Sequence, residues 1–202
     1  PILATSLQSA PPLSPSPSPS PGPWQGRAWI HFRHQRGRTH FQGGCEAPLK
    51  LLRATHHGDG RCELPLLHTA GGLVGGDRLA LEFHLQEGSA ALLTSVAAQK
   101  VYGSIGRSLR QPAGDWARQS LTVTLAPGAD LEWLPQETVL YADGLFAQHT
   151  RVELAPGACW LGAEVTRLGR TAAGETLAGG CWQSSLEIVR REAPGATQIG
   201  RA

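Results

Sequence analysis

From Arg78 to Leu85 the chain reads Arg-Leu-Ala-Leu-Glu-Phe-His-Leu, so Leu79, Leu81, Phe83 and Leu85 alternate with Ala80, Glu82 and His84. Successive side chains of a strand point to opposite faces, and this alternation is the pattern of a strand with one buried side. The same period recurs in Ala28, Ile30 and Phe32; in Leu121, Val123 and Leu125; in Leu131 and Trp133; and in Trp182, Ser184, Leu186 and Ile188. It places Trp133 and Trp182 on core-facing positions. No long helical stripe with caps competes with it, and the best helical stretch is short, over Ala97 to Tyr102. The expected fold is mostly β, with long stacked antiparallel or mixed sheets and few short helices.

Three turns echo one another: Leu85 to Ala90 (LQEGSA), Leu125 to Asp130 (LAPGAD) and Leu154 to Cys159 (LAPGAC). Each ends one alternating run and opens the next. Glu-Gly and Pro-Gly turns between strands are hairpin chemistry, while repeated units of this kind suggest stacked strands, as in a β-solenoid or a long sandwich. The copies start 40 and 29 residues apart, which is not a strict repeat. Upstream, Pro11 to Pro23 (PPLSPSPSPSPGP) cannot bury apolar surface and favours extended conformations. Residues 1–23 are therefore expected to form a disordered tail, and 24–202 a single β domain.

A net charge of +2 gives no basic footprint for nucleic acid, and no window approaches the ~20 apolar residues of a membrane helix. Arg33, Arg36 and Arg38, with His31, His34 and His40, fit a solvated strand and turn. The cysteines at 45, 62, 159 and 181 form no C-x-x-C pair and no disulfide framework, which fits a reducing cytosol.

The stretch from Leu66 to Leu79 (LLHTAGGLVGGDRL) concentrates glycine. Gly71 and Gly76 have P-loop spacing, but Asp77 stands where the lysine should be, and a strand follows where a helix is required. The stretch reads instead as strand, glycine turn and strand, with Asp77 and Arg78 at the mouth of the turn. His68 and Asp77 bracket it and lie close if 66–68 and 78–85 are neighbouring strands. His56, His57 and Asp59 offer metal-ligand chemistry only in a bent turn, and a solvated turn is the preferred reading. No tight His spacing marks a preformed site; the residues allow a loose path lined by carboxylate and imidazole. No nucleophile elbow is present, and Thr94, Ser95 and Lys100 lack a placed base. Paired carboxylates among Glu137, Asp143, Glu153, Glu164 and Glu175 keep a second reading open, a β-solenoid carbohydrate-active enzyme.

Four segments in order, 66–79, 92–102 (LLTSVAAQKVY), 131–138 (LEWLPQET) and 167–175 (RLGRTAAGE), resemble the urease accessory protein family UreD, called UreH in some organisms. The opening Pro23 to Phe32 looks like that family's start. The motif residues are Gly71, Gly72, Gly75, Gly76 and Arg78; Lys100 and Tyr102; Trp133, Pro135, Gln136 and Glu137; and Gly169, Arg170, Gly174 and Glu175. The resemblance implies a non-catalytic, solenoid-like β protein that binds the urease apoprotein and UreF, which recruits the GTPase UreG. It implies a wet internal tunnel that conducts a transient, weakly bound nickel ion, with no organic cofactor. Asp77, Glu164 and Gln99 match tunnel positions, and His68 joins them as a metal candidate. Three features depart from the family pattern: Tyr102-Gly103-Ser104 replaces a usual Tyr-Arg-Ser, His56-His57 stands where an aromatic-Pro pair is common, and a C-terminal portion is lacking.

Overall fold

Every second residue from Leu79 to Leu85 is buried, and the same holds from Ala28 to Phe32. The computed structural model describes residues 22–191 and 197–201. The expected tail therefore lies outside the described residues up to residue 21. In chain order the strands are β1 (Gln25–Gln35), β2 (Arg38–Cys45), β3 (Leu49–Leu51), β4 (Thr55–His56), β5 (Cys62–His68), β6 (Arg78–Leu85), β7 (Ala90–Ser95), β8 (Gln99–Val101), β9 (Ala117–Leu125), β10 (Asp130–Leu134), β11 (Thr138–Leu140), β12 (Leu145–Leu154), β13 (Cys159–Gly162), β14 (Thr166–Leu168), β15 (Cys181–Arg191) and β16 (Thr197–Arg201).

These strands form three open, separate sheets. The first runs β16-β15-β12-β9-β6-β1-β2, the second β13-β10-β7-β5-β3 with β4 beside β5, and the third β14-β11-β8. The chain visits them in rotation: β6, β7, β8; then β9, β10, β11; then β12, β13, β14; then β15 in the first sheet again. Strands of successive rounds pair in parallel, whereas β1–β2, β3–β5, β4–β5 and β15–β16 are antiparallel. The fold is mostly β with mixed sheets, as the period-two pattern predicts.

In-register pairing aligns like with like. Phe32, Leu85, Leu125 and Leu154 form one row of the first sheet, and Ile30, Phe83, Val123 and Val152 another. Leu64, Leu93 and Trp133 form a facing row of the second sheet. Phe83 and Trp133 meet across the two layers with ring centroids 5.6 Å apart, at the centre of the core. Burying each such side chain contributes about 1.5–3 kcal/mol.

The echoed turns prove to be corners rather than hairpins. Each joins a first-sheet strand to a second-sheet strand. Gly88, Gly128 and Gly157 adopt φ of 66°, 65° and 73°, the left-handed conformation that glycine takes without steric cost. The corners stack: Ala126 N–H donates to Leu85 O at 2.9 Å and Ala155 N–H to Leu125 O at 3.0 Å. The shared feature of the three corners is the left-handed glycine, and each corner hydrogen-bonds to the one before it.

Three other expectations change. The short helix at 97–102 is strand β8, because the third sheet supplies its backbone partners and Leu73 bridges to Val101. Among the described residues the helical content is one 3-10 turn, Thr171–Ala173. Trp182 lies in the inward row of Ala117 and Phe146 but is 38% exposed rather than buried. Its strand, β15, comes after β13 and β14, the last strands of the other two sheets, so among the described residues no strand of those sheets follows it in the chain. Finally, β5 and β6 are not neighbours; they lie in different sheets.

Candidate functional site

The glycine loop connects β5 to β6 and is threaded past the third sheet. Leu73 is fully buried; its N–H donates to Lys100 O at 2.7 Å, and its O accepts from Tyr102 N–H at 2.9 Å. Close approach explains two of the glycines. A Cβ on Gly72 would sit 2.6 Å from the Tyr102 ring and 2.8 Å from Lys100 O, and one on Gly75 would sit 2.8 Å from Asp115 O.

Asp77 closes this loop. It is 1% exposed; its Oδ1 accepts from Trp24 N–H at 2.7 Å and its Oδ2 from Val74 N–H at 2.9 Å. Charge-assisted bonds of this kind are the stronger class of hydrogen bond. They fix the carboxylate and tie the chain's entry into β1 to the loop. His68 is close enough to feel that charge. Burial pushes the His68 imidazole below its ordinary pKa, and Asp77 partly opposes the shift. The ring is therefore neutral at neutral pH, and its buried Nε2 has no hydrogen-bond partner among the described residues.

His68 faces a cavity of about 60 Å³ between the sheets. Gln99 from β8 and Glu164 from the segment after β13 line the same cavity, with Trp133, Pro135 and Gln136. Glu164 is anchored there: Trp133 Nε1–H donates to its Oε1 at 3.1 Å, and Gln148 Nε2–H to its Oε2 at 2.6 Å. Glu164 also lines a second cavity of about 120 Å³ with Thr150 and Ser184. The two cavities are joined by one inward row of the first sheet, Leu79, Gln119, Gln148 and Ser184. That row turns polar after Leu79, whereas the next inward row, Leu81, Leu121, Thr150 and Leu186, is apolar except for Thr150. Sequence reasoning missed Gln119 and Gln148. The signal was available, since both are polar residues in the inward register of alternating strands. Three of the four metal candidates thus share one cavity, and Asp77 acts on His68 through its charge without lining that cavity. Among the described residues no group of three or more His, Cys, Asp or Glu is poised to hold a metal ion.

The remaining motif residues build the third sheet and its flank. Gln99, Thr138 and Thr166 are register partners, as are Val101, Leu140 and Leu168, so three of the sequence motifs are successive rungs of one ladder. Backbone bonds continue it, with Gln99 N–H donating to Glu137 O at 2.9 Å. Lys100 and Arg78 carry exposed side chains. Tyr102 packs edge-on to Tyr141 at 5.1 Å, and Arg170 lies over Tyr141 at 4.6 Å. Gly169 and Gly174 take φ of 81° and 69° on either side of the 3-10 turn. The turn brings Glu175 back to Arg170, whose Nε and Nη2 donate to its two oxygens at 2.9 and 2.8 Å. Hydrogen bonding from Arg170 holds the Glu175 carboxyl down at about 2. A depressed carboxylate stabilises the fold at pH above its ordinary value, and that contribution is lost as pH falls toward 2. In a carboxyl-carbon NMR titration Glu175 should move with a midpoint near 2; a midpoint above 4 would mean the pair does not form in solution.

The model of the UreD urease accessory protein family matches residues 25–199. The chain belongs to the UreD family. Urease accessory protein UreD of Synechococcus sp. (strain CC9605) is 60% identical over 174 residues, covering 86% of this chain and 56% of the relative. UreD of Synechococcus sp. (strain WH7805) is 58% identical over 174 residues, and that of Prochlorococcus marinus (strain MIT 9303) is 58% identical over 163. The chain spans about half the length of the curated UreD relatives it matches, 56%, 54% and 53% for these three. No helix of the described residues is long and apolar enough to cross a membrane.

Proposed function

We propose that this chain is a non-catalytic part of the urease maturation machinery that hands nickel along its interior. The rotating three-sheet course is read as a solenoid-like wall. The polar row Gln119, Gln148 and Ser184, flanked by His68, Gln99 and Glu164, is read as the path. The observation that carries this reading is the unpaired, buried Nε2 of a neutral His68 facing a cavity that also contains a fixed carboxylate. Neutral imidazole and carboxylate suit first-row divalent ions, and dispersed donors release an ion more readily than a closed set would. Nickel here is cargo. The partners proposed are the urease apoprotein, UreF and UreG, in the cytoplasm. The relatives are named as urease accessory proteins, and this supports the urease assignment.

The test is maturation of urease by co-expression with the wild-type chain or Glu164→Gln. The variant keeps the acceptor for Trp133 but removes the charge. It should lower the nickel content of recovered urease severalfold while the co-purifying complex stays intact. Unchanged nickel content with an intact complex would reject the path.

A further inference from the structure

The outward face of the first sheet carries a groove of about 690 Å³, whose lining also includes Leu79, Gln119, Gln148 and Ser184 of the inward row. It crosses β1, β6, β9, β12 and β15. In-register pairing sets Gln25, Arg78, Arg118, Ala147 and Gln183 in one row along it, with Arg27, Ala80, Ser120, His149 and Ser185 in the next. The floor is made of small residues, Ala80, Ser120 and Ala147, and this leaves the groove open between longer side chains.

Its charge is unbalanced. Arg78 and Arg118 are direct partners on adjacent parallel strands, about 4.8 Å apart along the hydrogen-bonding direction. Like charges placed opposite one another destabilise a sheet. Among the described residues no carboxylate pairs with either guanidinium; Arg118 Nη1 donates only to Trp116 O, at 3.2 Å. Arg27 is already paired with Glu82 at 3.0 Å, and Glu46 is the one carboxylate among the lining residues. Glu46 forms no ion pair with Arg78 or Arg118, so the two guanidiniums are open to an anion from outside the described residues.

We propose that this groove binds an extended acidic segment of a partner protein, about six residues long. Four strand spacings give a length of roughly 19 Å, and six extended residues reach about 20 Å. The row offers side-chain donors at both ends, Gln25 and Gln183, as well as the central arginines, which suits a chain of acceptors better than a single small anion.

The intact chain is titrated with fluorescein-labelled hexaglutamate, read by fluorescence anisotropy at low and at 0.3 M salt. The expected result is saturable binding that weakens steeply with salt, is at least tenfold weaker for hexaglutamine, and falls at least tenfold in the Arg78→Gln/Arg118→Gln double variant. Arg33→Gln, on β1 outside the groove, should bind as wild type. Ala147→Glu puts a carboxylate in the same row and should abolish binding too, which keeps the test decisive if the double variant fails to fold. Absence of saturable binding, equal binding of hexaglutamine, indifference to both sets of substitutions, or displacement by equimolar inorganic phosphate would overturn the proposal.

Discussion

Asp77→Ala should destabilise the chain by about 3 kcal/mol, because it strands two backbone N–H groups that now bond to a carboxylate. Losing a charge-assisted bond costs about 1.5–3 kcal/mol. Trp24 and Val74 are 46% and 48% exposed, so each N–H regains some water, and the loss is set at the low end for two such bonds. In a domain of this size 1 kcal/mol moves Tm by about 2–4 °C, so a fall of roughly 6–12 °C is expected by calorimetry or circular dichroism. Asp77→Asn keeps one acceptor but turns an NH2 toward the second donor, and should recover no more than half of the loss. A melting point within 2 °C of wild type for Asp77→Ala would show that the loop closes without the carboxylate. The result also bears on function: lower nickel delivery by this variant would reflect a loosened loop as well as a missing charge, so Asp77 is a poor probe of metal handling on its own.

His68→Ala is the cleaner probe, with an expected loss of at least about tenfold in nickel affinity of the isolated chain by isothermal titration calorimetry. The buried Nε2 makes no hydrogen bond, so its removal relieves an unsatisfied polar atom while opening a small void. The two effects oppose, and stability should change by no more than about 1 kcal/mol. The pH dependence follows from the direction of the shift. Burial favours the neutral ring, so protons compete with nickel only below the ordinary imidazole value of about 6.5. Wild-type affinity should be flat from pH 8 to 6.5 and fall below that. Equal affinity in His68→Ala, or a midpoint above 7, would remove His68 from the path.

The strands were legible because one face of each meets the core, and a period of two is a local signal. β6, β9 and the second half of β12 follow it residue by residue. Which sheet each strand joins was not legible. The LAPGAD and LAPGAC turns have the same local chemistry whether the chain doubles back or turns a corner, and long-range pairing decides between them. β8 was hidden for a related reason: three residues carry no period, and its partners are Leu73 and β11, 28 and 39 residues away. Trp182 was misplaced because periodicity gives the face of a strand but not whether another layer covers that face. At the site, Gln99 and Glu164 came from the family resemblance and His68 from its position beside the loop. None of the three could be placed in one cavity from sequence, since that depends on how the sheets face each other.

The stacked corners also tell where this chain can change length. The first two corners start 40 residues apart and the next two 29. The connection from β8 to β9 takes 15 residues, 102–116, whereas the equivalent connection from β11 to β12 takes four, 141–144. That single corner absorbs the whole 11-residue difference. Insertions and deletions are thus tolerated on the side where the third sheet hands the chain back to the first. They are barred from the glycine corners, where one extra residue would shift every inward side chain of the following strand to the solvent face.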